Sequence, residues 1–414
     1  MSSDPFPIPE AASFVSHLEC SLTGERHDAG VRHNLSRAGK PLLVRYDLAG
    51  AKRALPREAL RDRPQTLWRY RELLPVRETR HIVSLGEPVT PIVAAPRLAR
   101  RLGGKDLWIK QEGLLPTGSF KARGQTVAIS MAKELGITAA VVPTAGNAGA
   151  AMAAYCSRAG IDAWVFCPED TPEAIVRQAG LQGAHVFLVN GFLDDCAKIA
   201  GQGARERGWF DLSTLKEPYR IEGKKTMGYE LAEQMGWDVP DVVLYPTGGG
   251  TGFIGMWKAF DEMEALGWIG PKRPRMVCVQ STGCGPVVKA WQEGKSHAER
   301  WNDVRTFASG FKAPVAIGDF MLTRIIRESG GFGILVSDDE IRDAWADMGR
   351  TEGILLCPEG AGCLAAYGKA LADGRIGPDE RVLLFDTASG LKSDLPPAGT
   401  PLDRTQPIDL GRLA

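Results

Sequence analysis

From about residue 105 onward the chain alternates short apolar, β-branched runs with stretches of helical character, and this alternation most narrows the folds open to it. The runs "DLWIKQ", "AAVVPT", "DAWVFCP", "HVFLVN", "DVVLYPT", "RMVCVQ" and "RVLLFDT" read as buried strands, with helices at about 122–135, 147–159, 172–182, 193–207, 253–266 and 338–350. A strand that is apolar on both faces must be covered on both. The pattern therefore predicts an α/β fold of mostly parallel sheets with helices on either side. One helix start is explicit: Thr171 as a capping hydroxyl, Pro172 at the first helical position and Glu173 at the positive end of the dipole. With a loose stretch around 208–225, two lobes suit these units better than one barrel. Residues 1–75 differ in kind, being polar, Arg-rich and weakly periodic, and the chain carries no internal repeat or low-complexity tract.

The length of 414 residues allows two ordinary domains with sizeable cores. Fifty basic and fifty acidic residues cancel, so no net field recruits nucleic acid or anionic lipid. No apolar stretch approaches the ~20 residues of a membrane-spanning helix. The opening "MSSDPFPIPEAASF" shows neither the basic nor the apolar region of a secretory signal. Eight cysteines are scattered without a C-x-x-C, which favours reduced thiols in a cytoplasm over a disulfide framework.

Residues 245–255, "YPTGGGTGFIG", close one apolar run and open a helix. Gly250-Thr251-Gly252-Phe253-Ile254-Gly255 matches G-x-G-x-x-G, but the next strand ends in Gln280 rather than in an acid to hold a dinucleotide's ribose. The lysines of "EGKKT" at 222–226 lack the spacing of a triphosphate loop. What remains is a choice between a tight turn and an anion cradle of bare amides at a helix N-terminus.

A second feature bears on that choice. In "LLPTGSFKARG", Lys121 stands at a helix start, where the positive dipole end disfavours its ammonium form. A neutral amine is what condensation with a carbonyl requires. A nucleophilic lysine and a phosphate cradle on one α/β sheet are the two needs of pyridoxal 5'-phosphate, which has an aldehyde to condense and a phosphate to anchor.

The ordered segments "PTGSFKARG", "PTAGNAGAAMAAY", "EPYRIEGKKTMGYELAEQMGW", "YPTGGGTGFIGMWKAF", "PEGAG" and "DTASGLK" resemble those of threonine synthases. These belong to the fold-type II pyridoxal phosphate enzymes, a group that includes threonine and serine dehydratases. The resemblance covers roughly residues 65–392 and implies a two-lobed, tryptophan synthase β-like fold. It implies a large cofactor-binding domain at 76–127 plus 226–414, a small domain at 128–225, and an N-terminal extension at 1–75. It further implies a homodimer acting on a small amino-acid substrate.

Residue by residue, the resemblance makes Lys121 the lysine that condenses with the cofactor and handles the Cα proton, with Phe120 packing beside the ring. Asn147 becomes the partner of the ring hydroxyl. Thr144, Ala145, Gly146 and Ala148 suit the substrate carboxylate, and Gly248, Gly249, Gly250, Thr251 and Gly252 form the phosphate cradle. Thr387 meets the pyridine nitrogen, with the adjacent Asp386 as a rival on the opposite strand face. Glu359 has two readings, a positioning group for substrate or a capping acid for the helix that follows.

Two departures bear on the substrate. Where many relatives carry a zinc ribbon, this chain keeps Cys20 but has Thr23, Asn34 and Arg37 at the other cysteine positions, and one thiol cannot hold a tetrahedral zinc. A metal-free remnant is expected, with His17, His27 and His33 at the surface. In "STLKEPYRIEGKKT", Arg220 is available for a phosphate or carboxylate, but Glu217 replaces the asparagine usual in threonine synthases. Glu217 either repels a substrate dianion unless Lys216, Lys224 or Lys225 neutralises it, or points to solvent. Threonine synthesis from O-phosphohomoserine leads, and a β-eliminating lyase acting on threonine, serine or a similar amino acid is the alternative. The polar, Pro-rich end after residue 400 gives no sign of a regulatory domain. A non-catalytic cofactor carrier is disfavoured by intact Lys121, Asn147 and Thr387, and a nicotinamide dehydrogenase by Gln280.

Overall fold

The strand Val242–Pro246 is buried at every position, because parallel neighbours flank it and helices cover it. In the computed structural model, which describes residues 8–405, it lies inside a six-stranded sheet. The order is Gly333–Val336, Arg275–Ser281, Val242–Pro246, Arg381–Asp386, Asp106–Gln111 and Ile92–Ala94, parallel except for the last. A second, parallel sheet runs His185–Val189, Asp162–Pro168, Ala139–Pro143, Phe210–Asp211. The expectations for the first seven residues and for the tail beyond 405 lie outside the described range.

All seven apolar runs are strands. His185–Val189 corrects the expectation of burial: it forms the edge of its sheet and is largely open to solvent. The start of helix Glu173–Leu181 is also corrected. Pro172 itself is the capping residue, and the buried Thr171 hydroxyl has no hydrogen-bond partner.

The stretch around 208–225 is not loose, because a helix, Tyr219–Gln234, begins inside it and is buried from Tyr219 to Ala232. Its charges interrupt any apolar stripe but find partners inside. Lys225 meets Glu222 at 2.7 Å and Glu262 at 2.9 Å, while Glu230 meets Arg123 at 2.5 Å and Lys110 at 2.9 Å. This helix lies against helix Lys121–Glu134 with almost no gap: a Cβ on Gly223 would sit 1.7 Å from the Arg123 carbonyl oxygen. The boundaries 127/128 and 225/226 fall within these two helices.

Near the N-terminus, Arg26–His27, Val15–Cys20 and Leu42–Tyr46 form an antiparallel sheet. Cys20 is buried, its thiol donating to the Ser36 hydroxyl at 3.1 Å. Asn34 fastens the unit to the body, its amide donating to the carbonyls of Asp211 (2.8 Å) and Lys216 (3.0 Å). His17, His27 and His33 are half-buried rather than at the surface, and the last two rings meet edge to face at 5.2 Å. Among the described residues no cluster of three His, Cys, Asp or Glu is arranged to hold a metal, and no helix is long and apolar enough to cross a membrane.

Candidate active site

In parallel sheets, ligands gather at the carboxyl ends of the strands. Here the segments that follow Asp106–Gln111, Ala139–Pro143, Val242–Pro246 and Arg381–Asp386 converge on one cavity of about 340 Å³. Its wall includes Phe120, Lys121, Thr144, Ala145, Gly146, Asn147, Ala148, Gly248, Gly249, Gly250, Thr251, Glu359 and Thr387.

Lys121 is the first residue of helix Lys121–Glu134. The approach to it turns through Thr117 and Gly118, both in the left-handed region (φ 65° and 71°). The dense protein around its amine lowers the pKa to about 8, aided by the Arg220 charge and opposed by Glu359. Across the cavity, Asn147 opens helix Asn147–Ala159, and its buried Oδ1 has no hydrogen-bond partner. Thr144 Oγ1 accepts the Gly146 N–H at 3.1 Å, shaping the turn before that helix.

The glycine loop is bare for steric reasons. A Cβ on Gly248 would lie 2.4 Å from the Gly310 carbonyl oxygen, and one on Gly249 would lie 2.4 Å from Thr214 Cγ2. Gly250 has φ 78° and caps helix Thr251–Leu266, so amides and a helix N-terminus face the cavity together. Thr387 is on the wall, while Asp386 turns away and accepts the Cys357 N–H at 2.9 Å. Burial pushes the Asp386 carboxyl up to about 7, against the bonds from Cys357.

Two expected site residues stand off the wall. Gly252 serves packing, since a Cβ there would lie 1.9 Å from the Tyr245 hydroxyl. Arg220 is buried behind helix Lys121–Glu134 and donates to the Leu212 carbonyl at 2.6 Å, so it acts on Lys121 by charge. Glu217 does not reach solvent. It is buried, and its Oε2 accepts the amides of Tyr219 (2.7 Å) and Arg220 (3.0 Å) at a helix start. Burial pushes it up to about 7, against Arg220 and those amides. The capping reading of Glu359 also fails: Cys357 Sγ caps helix Pro358–Ala372, and Glu359 instead faces the cavity.

The segment 309–317 also lines the cavity, and its only signal in the sequence is a non-periodic stretch with Gly310 and Pro314. It contributes Lys312, which faces the cavity together with Lys216. Their nearest acids are Asp170 and Asp211, each at 3.2 Å.

The chain matches the pyridoxal-phosphate dependent enzyme family over residues 83–387. It belongs to that family. A threonine synthase from Methanocaldococcus jannaschii is 35% identical over 374 residues, covering 90% of this chain and 92% of the relative. One from Methanosarcina acetivorans is 34% identical over 378 residues, covering 91% and 92%. These relatives place the chain among the threonine synthases. Diaminopropionate ammonia lyase from Escherichia coli shares the fold, with a TM-score of 0.63 and 20% identity, covering 75% of this chain and 86% of that one.

For a pyridoxal phosphate enzyme the residues present fit the cofactor. The orphaned amide oxygen of Asn147 lacks a protein partner, the glycine cradle excludes side chains, and the Lys121 amine is held toward its neutral form. Thr387 puts a neutral hydroxyl on the wall, where it would meet the pyridine nitrogen, while the Asp386 carboxylate accepts the Cys357 N–H.

Proposed function

We propose that this chain converts O-phospho-L-homoserine to L-threonine and phosphate. The observation that carries this reading is a cavity with Lys121 on one wall, a bare glycine cradle beside it, and the cations Lys216 and Lys312 also on the wall to receive a second phosphate. When bound, pyridoxal phosphate supplies the electron sink for negative charge built up beside the amino group. The amides at the start of helix Asn147–Ala159, with Thr144, hold the substrate carboxylate. Lys121 takes the proton from Cα and then one from Cβ, phosphate leaves from Cγ toward Lys216 and Lys312, a proton is delivered to Cγ, water adds its hydroxyl at Cβ, and Cα regains a proton from Lys121. Glu217 is sealed at a helix start and off the cavity wall, which removes one of the two departures that favour the lyase alternative and leaves the missing zinc ribbon as the other.

Separate sheets support the division into an extension (1–75), a large domain (76–127 with 226–414) and a small domain (128–225). A homodimer follows from the resemblance, and a cytoplasmic setting suits eight cysteines of which none is paired. The test is turnover of cofactor-loaded protein on O-phosphohomoserine. Phosphate and threonine are expected in equal amounts, whereas keto acid from threonine or serine with phosphohomoserine inert would replace the synthase by a lyase.

A further inference from the structure

Four lysines of the described chain are buried: Lys110, Lys224, Lys225 and Lys258. Three of them meet carboxylates, Lys110 on Glu230 at 2.9 Å, Lys225 on Glu222 at 2.7 Å and Lys258 on Glu262 at 2.5 Å. Among the described residues Lys224 has no ion-pair partner, and its hydrogen bond goes to the Phe120 carbonyl oxygen. Its Nζ also stands 3.1 Å from the Phe120 ring centroid, and Lys121 Nζ stands 4.4 Å from the same centroid.

This contact depends on the helix approach described above. Gly223, next to Lys224, touches the Arg123 carbonyl, and Gly124 lies against Arg220. Two glycines thus bring helix Tyr219–Gln234 close enough for a side chain to reach the first turn of helix Lys121–Glu134. An unpaired charge in such a place is strongly disfavoured. Glu112 is already taken by Arg123 at 2.5 and 2.8 Å and by the Thr90 hydroxyl at 2.7 Å, and the other nearby ionisable groups, Lys121, Arg123 and Arg220, are bases rather than acids. Burial first, then the charge of Lys121, holds the ammonium form of Lys224 far below its ordinary range. Lys224 thus donates an N–H here without a carboxylate partner, and the Lys121 amine answers to burial, Arg220 and Glu359 rather than to Lys224.

We propose that Lys224 is a positioning residue for Lys121: from the neighbouring helix it clamps the carbonyl and ring of Phe120, fixing the first helical turn from which the Lys121 amine enters the cavity. This rests on the reading of Lys121 as the residue that condenses with the cofactor.

The test follows condensation of full-length apoprotein with pyridoxal phosphate by absorbance, as a function of pH, alongside thermal unfolding. Lys224→Met is expected to slow condensation on the order of tenfold or more at every pH, the scale of a misplaced reacting group. The pH inflection should not move and the melting temperature should stay close to that of the parent. Lys224→Gln, which keeps an N–H donor, should recover most of the rate. An unchanged rate in Lys224→Met overturns the proposal. So does a displaced inflection with an unchanged plateau, or a slowing that follows lost thermal stability and is not recovered by Gln. Lys121→Ala separates the two readings: if it still gains the bound absorbance, the assignment of Lys121 fails. If it does not, while Lys224→Met behaves as the parent, only the positioning role falls.

Discussion

Glu359 accepts the amide of Gly310 at 2.6 Å, so a side chain from helix Pro358–Ala372 holds the loop that closes over the glycine cradle. The same carboxylate favours the charged form of Lys121. Two effects of one acid can be separated by substitution. Glu359→Gln keeps an acceptor for Gly310 but removes the negative charge. The Lys121 pKa of about 8 should then fall, and condensation with pyridoxal phosphate should reach its plateau at lower pH than in the parent. A shift to higher pH would show that the carboxylate does not act on Lys121 in this way.

Glu217 gives a stability prediction. Its carboxyl is raised from 4.5 to about 7 in the folded state, so the folded chain holds a proton that the unfolded chain loses first. The stability due to this group is fully present below pH 4.5 and is lost as pH rises toward about 7. Glu217→Gln keeps an oxygen for the amides of Tyr219 and Arg220 and should flatten that window while leaving the KM for substrate unchanged. Glu217→Ala should cost about 1 kcal/mol, as lost helix-end acceptors do. Urea unfolding at several pH values checks both.

A side chain at Gly248 should act on cofactor affinity. The methyl of Gly248→Ala meets the backbone oxygen of Gly310, so the loop must move or the cradle must open. Overpacking of this kind costs about 1–3 kcal/mol, which a cofactor titration would read as weaker binding. Gly180→Ala, where a Cβ meets nothing within 4 Å, is the control and should bind as the parent does.

Lys216 and Lys312 should be needed for a phosphorylated substrate but not for the cofactor. Charge-assisted hydrogen bonds are worth about 1.5–3 kcal/mol, so Lys216→Met and Lys312→Met are each expected to raise the KM for O-phosphohomoserine roughly tenfold or more. Condensation with pyridoxal phosphate should stay as in the parent. Steady-state kinetics and absorbance titration on the same preparations check the pair.

What the sequence makes legible here is local. Lys121, Asn147 and the glycine run each sit at a strand-to-helix turn, and their chemistry is written in adjacent residues. Arg220 shows the limit. Its position in the motif suggests a substrate contact, but whether it faces the cavity depends on Gly124 and Gly223 letting two helices close up, which no single segment reveals. Helix Tyr219–Gln234 is hidden for a related reason, because its buried charges are satisfied by Glu262, Lys110 and Arg123 from distant parts of the chain. Gly333–Val336 and Ile92–Ala94 are short strands, and only the sheet they complete gives them away.

On the proposed function, Lys121 anchors pyridoxal phosphate covalently. The most direct measurement is borohydride reduction of the cofactor-loaded protein, followed by digestion and mass spectrometry of the modified peptide. The modification is predicted on Lys121, in the segment "PTGSFKARG". A reduced adduct on any other lysine, or none at all, would contradict the account.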